Sequence, residues 1–277
     1  MLPLILGLLG ATFAAPEASA PLRLVACAPG YPGTTEQAQP TMDEFARLIE
    51  AAADWDAGTL AAEYHEDEVG GLARLRDPDT QVALVPLPLF FKYEAELGLR
   101  PIAQTLGPGG TAHERWSLVA STGRVKGPGD LEGWTIAGVP GYADSFVRGN
   151  LLRDWGALPK TATIEFTPRV LGALRRAMQG DDVAVILDRS QVEAMDSLPN
   201  AADLEVIATA PEMSMGLVVS VGDRLDADTS EALRRALLRV HHDAQFGELL
   251  EMVRINSFGP VDDAMVMAGR QAFHGAS

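Results

Sequence analysis

HERWSLVASTGRVKGPGDLEGWTIAGVPGYADS, residues 113–145, is the stretch from which the rest of the chain can be read. Trp116-Ser117-Leu118-Val119-Ala120 alternates with the period of two expected of a strand. Gly123, Gly127, Pro128 and Gly129 break that run, and a compact Asp130-Leu131-Glu132-Gly133 turn leads into a second apolar strand, Trp134 to Val139. The bend Gly141-Tyr142-Ala143-Asp144-Ser145 then offers a helix cap at Asp144 or Ser145. The whole reads as a crossing between two lobes.

This succession, with GDLEGWTIAGVPG at its centre, resembles the "sl-DL-G-k-ia" segment of bacterial type 2 periplasmic solute-binding proteins. Within that superfamily it is most similar to the phosphate/phosphonate-binding branch that serves ABC transporters. In order of elements the resemblance covers nearly the whole mature chain. It implies a two-lobed α/β fold, each lobe a mostly parallel sheet flanked by helices, with a hinge between them. The corresponding division is a signal peptide over residues 1–20, a discontinuous first lobe of 21–112 and 212–277, and a second lobe of 113–211. The implied activity is capture of a small ligand by hinge closure and delivery to an ABC permease, by a monomer without cofactor or covalent chemistry.

The residues outside this segment support the same class. The first twenty, MLPLILGLLGATFAAPEASA, hold an apolar core and close on Ala18-Ser19-Ala20, the small-x-small pattern of a cleaved export signal. Leu24-Val25-Ala26-Cys27 has the form of a lipobox, which would tether the protein at Cys27. Arg23 and Pro21 separate it from the apolar core, so a buried first strand, Leu22 to Ala28, with Cys27 as a small hydrophobe, is favoured. Lys and Arg number 22 against 38 Asp and Glu, a net charge of −16 that argues against nucleic acid and anionic membranes as partners.

Further along, helices are expected over Thr41 to Ala53, with a Thr41/Glu44 capping box, and from His65-Glu66-Asp67-Glu68 through Leu75. Val82–Val85 is a short apolar strand that enters a helix, and Arg100–Thr105 is another strand. In the second lobe a helix over Ser145–Trp155 precedes strands at Thr161–Phe166, Val183–Leu187 and Leu204–Thr209, with a helix over Arg169–Met178. A returning strand over Met215–Val221 precedes a helix capped at Thr229 and a second around Phe246–Val253. Such alternation points to parallel sheets covered by helices on both faces. The adjacent His241-His242 pair points in two directions on a helix and reads as solvated.

Open α/β sheets bind ligands outside the carboxyl ends of their strands. The candidate ligand residues are therefore Tyr31, Leu87, Pro88, Ser121, Thr122, Gly141, Tyr142, Asp144, Ser145 and Asp188, with the Gly141–Ser145 bend foremost because helix-start amides hold anions. Phosphonate binders usually carry a Ser-Thr-Ser-Gly type run at this helix start. Here Tyr142-Ala143-Asp144-Ser145 keeps only one hydroxyl in register. If Asp144 and Asp188 both face the cleft, a cationic or amine ligand is the better fit; if Arg115 or Arg189 does, an oxyanion is. Glu63, His65 and Asp67 read as a solvated helix start rather than a metal site. There is no Gly-x-Ser-x-Gly, P-loop, His-Glu-x-x-His or cysteine pair, so no enzyme class is indicated. A sensory or scaffold module of a membrane system stands as the alternative, with an enzyme on the same fold behind it.

Overall fold

The computed structural model describes residues 20–240 and 255–275. The expected signal peptide up to Ser19, the His241-His242 pair and the helix around Phe246–Val253 lie outside the described residues.

The chain begins as a βα succession. Strand β1 (Leu22–Cys27) leads to α1 (Thr35–Ala53), β2 (Leu60–His65), α2 (Glu68–Arg76), β3 (Val82–Pro86), α3 (Leu87–Leu97) and β4 (Arg100–Leu106). Helix α1 starts six residues before the expected Thr41. Thr34 caps it in a reciprocal box with Gln37, and the Glu66 carboxylate accepts from both the amide and the hydroxyl of Thr35 at 2.9 and 2.6 Å. These partners satisfy the orphan amides of the added turns and carry Pro40 inside the helix. Cys27 is fully buried at the end of β1, as a core strand residue.

A two-residue strand, β5 (His113–Glu114), carries the chain out to β6 (Ser117–Ser121), β7 (Thr135–Gly138), the helical turn α4 (Asp144–Phe146), β8 (Thr163–Phe166), α5 (Val170–Met178), β9 (Val183–Leu187), α6 (Arg189–Met195) and β10 (Leu204–Thr209). It returns through β11 (Met213–Ser214) to β12 (Gly216–Ser220), α7 (Ala227–Arg239), β13 (Ser257–Gly259) and α8 (Asp263–His274). The helix expected over Ser145–Trp155 is not continuous. After α4 it widens into a π-helical turn, Val147–Leu151, and ends in a 3-10 turn, Arg153–Trp155, because Asn150 is pulled towards α8, where its amide donates to the Gly269 carbonyl at 2.8 Å. Helix α7 is capped at Asp226 rather than Thr229; the Asp226 carboxylate accepts from the Thr229 amide and hydroxyl.

Two sheets result. One has the order β13-β4-β12-β3-β1-β2 and the other β10-β6-β9-β7-β8, while β5 and β11 pair with each other between them. In the first sheet β12 runs antiparallel between β3 and β4; in the second, β7 is parallel to both β8 and β9. The strand cores are apolar on both faces, as in Val183–Leu187, where every residue is buried. One apolar cluster crosses from lobe to lobe: Phe91 of α3 stacks on Phe146 of α4 at 6.2 Å and on Phe273 of α8 at 6.0 Å.

Candidate interlobe ligand site

The strand directions define which ends meet. β6 leaves the β5–β11 crossing at Ser117, beside Leu187 at the carboxyl end of β9. The carboxyl ends of β7, β8 and β9 therefore face the first lobe, and the carboxyl end of β6 faces away. Ser121 and Thr122 lie at that remote end: Ser121 donates to the Ala177 carbonyl, and Thr122 to the Ala202 carbonyl at 2.9 Å. Both lie away from the ends that face the first lobe, at the far end of β6. Alternating strand polarity cannot be read from one strand alone, and β6 is antiparallel to its neighbour β9.

At the facing ends, the loop after β1 meets the second lobe directly. Gly30 has φ +85°, and a Cβ there would lie 3.0 Å from the Phe166 ring and 3.1 Å from Val139. Tyr31 follows it, partly exposed, with its carbonyl 3.4 Å from the Tyr64 hydroxyl. Opposite, Gly141 is pressed against the end of β8, where a Cβ would stand 2.2 Å from the Glu165 carbonyl oxygen. This fixes the backbone of the next residue, Tyr142, whose ring meets Phe166 edge-on at 5.8 Å.

Tyr142 is the residue that reaches across. Its carbonyl accepts from the Lys92 ammonium of α3 at 2.6 Å. Lys92 also donates to Glu68 at 2.5 Å, and Glu68 accepts from the Tyr93 hydroxyl at 2.6 Å. The ammonium lies 5.4 and 5.8 Å from the ring centres of Tyr93 and Tyr142.

Burial governs the titration of this region. It pushes the Tyr142 hydroxyl well above its ordinary value, with Tyr31, Cys27 and Glu68 adding in the same direction. Burial, then Glu66, pushes Tyr64 up to about 12, and burial followed by the bond to Glu68 raises Tyr93. These groups are hydrogen-bonding neutral acids at physiological pH, and beside them Lys92 and Glu68 form an ion pair at the seam.

The other expected residues are placed differently. Leu87 and Pro88 are buried at the start of α3, with Leu87 in the shared apolar cluster, so they back the site rather than line it. Asp144 is exposed and paired with Arg148 at 2.9 Å, turned away from the seam. Asp188 caps α6, its carboxylate accepting from the Gln191 amide and the Ser190 hydroxyl at 2.8 and 2.7 Å. Arg115 and Arg189 both reach Glu212, at 2.7 and 3.4 Å. Ser145 sits half-buried just beyond Tyr142. Glu63 is occupied by Arg23 and Arg74, and Asp67 caps α2.

Sequence reasoning missed Lys92, Glu68 and Tyr93. The available signal was a lone cation inside the otherwise apolar LPLFFKY run of α3. Glu68 gave none, since a carboxylate at a helix start is ordinary.

Over residues 25–266 the chain matches the model of the family described as "ABC transporter, phosphonate, periplasmic substrate-binding protein". A Xanthomonas citri protein solved with chloride bound is similar in fold at 13% identity, TM-score 0.70, covering 93% of this chain and 99% of that one. A binding protein component of a Pseudomonas aeruginosa ABC phosphonate transporter gives 15%, 0.63, 93% and 87%. A Prochlorococcus marinus protein in complex with methylphosphonate gives 14%, 0.59, 91% and 97%. No curated protein matches.

Proposed function

This chain belongs to the phosphonate-type periplasmic substrate-binding proteins of ABC transporters, and from that premise we propose that it binds a phosphonate-like oxyanion at the seam between its lobes. The observation that carries the reading is Lys92, set between the lobes in the second turn of α3, where an oxyanion would exchange for the Tyr142 carbonyl and share the ammonium with Glu68. The carboxylates that would have favoured a cationic ligand, Asp144 and Asp188, are engaged by Arg148 and by the α6 cap. Tyr31, Gly141, Tyr142, Ser145 and Lys92 are the proposed ligand wall. Residues 21–112 with 212–277, and residues 113–211, are the proposed bodies that close on it. A monomer exported by its first twenty residues would then present the ligand to its permease.

Calorimetry with methylphosphonate, inorganic phosphate and a primary amine tests the ligand class. Binding of methylphosphonate but not the amine is expected. A heat from the amine alone would overturn the oxyanion assignment. Ser121→Ala and Thr122→Ala are expected to leave affinity unchanged, whereas Ser145→Ala weakens it by the loss of about one hydrogen bond, ~0.5–1.5 kcal/mol.

A further inference from the structure

The contacts that join the two lobes at the site are made by protein groups on both sides. Lys92 is held in its own lobe by Glu68, and Glu68 by Tyr93, at 2.5 and 2.6 Å. From that fixed position the ammonium donates 2.6 Å to the Tyr142 carbonyl of the other lobe. Tyr142 is fixed in its turn by the edge of Phe166 and by the jammed backbone at Gly141. Its ring and its carbonyl engage the same ammonium. Beside this pair, a Cβ added at Gly30 would stand 3.0 Å from Phe166 and 3.1 Å from Val139, so the first-lobe loop comes this near the second lobe only because position 30 has no side chain.

We propose that Lys92 and Tyr142 form a clasp that closes the lobes on each other through protein groups alone, so that an arriving ligand exchanges for the clasp instead of creating the closure. Each end of the clasp has what a ligand needs: a partly buried ammonium, held by Glu68, on one lobe and an acceptor on the other. A ligand oxygen that takes Lys92 releases the Tyr142 carbonyl, and this end of the seam then stays closed only if the ligand also bridges it, while the Phe91–Phe146 stack and the Asn150–Gly269 bond remain as the other joint between the lobes. Closure thus becomes a test of ligand shape, in which differential contacts between two arrangements decide the population.

Small-angle X-ray scattering of the purified full chain, with and without saturating methylphosphonate, reads the clasp. Wild type is expected to be compact in both conditions, near the ~19 Å radius of gyration of a chain this long. Lys92→Met is expected to expand by on the order of 1 Å without added ligand, and Tyr142→Ala, which keeps the backbone carbonyl and loses only the ring contacts, by less. A wild type that contracts only with methylphosphonate overturns the proposal, as does a Lys92→Met variant as compact as wild type. Circular dichroism melts separate opening from unfolding. Should Tyr142→Ala unfold, Lys92→Met decides, since Met keeps the apolar stem in place. The clasp is read without ligand, so its failure is distinct from failure of the oxyanion assignment, which would show as absence of heat in calorimetry.

Discussion

A methyl group added at Gly71 would stand 2.1 Å from the Cys27 sulfur and 2.9 Å from its Cβ. The α2 helix can lie this close to β1 only because position 71 has no side chain. Gly71→Ala is therefore expected to cost ~1–3 kcal/mol by overpacking, measured by denaturant titration. Adding Cys27→Ala should recover part of that loss and not all, because the Cβ contact remains. The same burial, aided by Asp67 and Glu68, pushes the Cys27 thiol from 9.0 up to about 12. The folded chain keeps this proton where the unfolded chain has lost it, so the stability contribution declines as pH rises from about 9 towards 12. At pH 8 the thiol should resist a disulfide reagent until the protein is unfolded; prompt labelling of the folded protein would contradict the buried-strand placement.

Helix α8 and the π-helical turn act as a unit. Gly269 lets α8 approach Phe91, whose ring would lie 2.6 Å from an added Cβ, and its carbonyl holds Asn150. Arg270 reinforces the contact through Glu94 on α3 at 2.9 Å. Gly269→Ala is expected to lower the melting temperature, at a cost of ~1–3 kcal/mol. Asp188→Ala should cost about 1 kcal/mol as the loss of a helix cap and leave ligand affinity unchanged; a changed affinity would return Asp188 to the site. These elements mark what was legible beforehand. Val82–Val85 and Val183–Leu187 announce themselves because strands buried on both faces are continuous apolar runs. The break in the Ser145–Trp155 helix does not, because its cause is a carbonyl 119 residues away. Within the proposed site, the turn at Gly141–Ser145 follows from local turn chemistry. The Lys92–Tyr142 contact spans 50 residues and two lobes, so no local pattern carries it.

For the whole molecule, ligand that binds only the folded form stabilises it by mass action. At a hundredfold excess over Kd, methylphosphonate should add ~2.7 kcal/mol, or roughly 5–10 °C in melting temperature. One feature of the first sheet bears on a different moment in the protein's life. Strand β12 lies between β3 and β4, yet it is made only after the entire second lobe. As the chain is threaded out amino-terminus first, β3 and β4 must wait with an unfilled slot between them while residues 117–209 already hold a complete sheet. The second lobe can thus mature first and the first lobe last, with β12 sliding home as the keystone. Pulse-labelled amides on β6 and β9 should accordingly be protected before those on β3 and β4. Until then the open slot is a bare strand edge, the point at which a newly emerged molecule is most exposed to pairing with a neighbour.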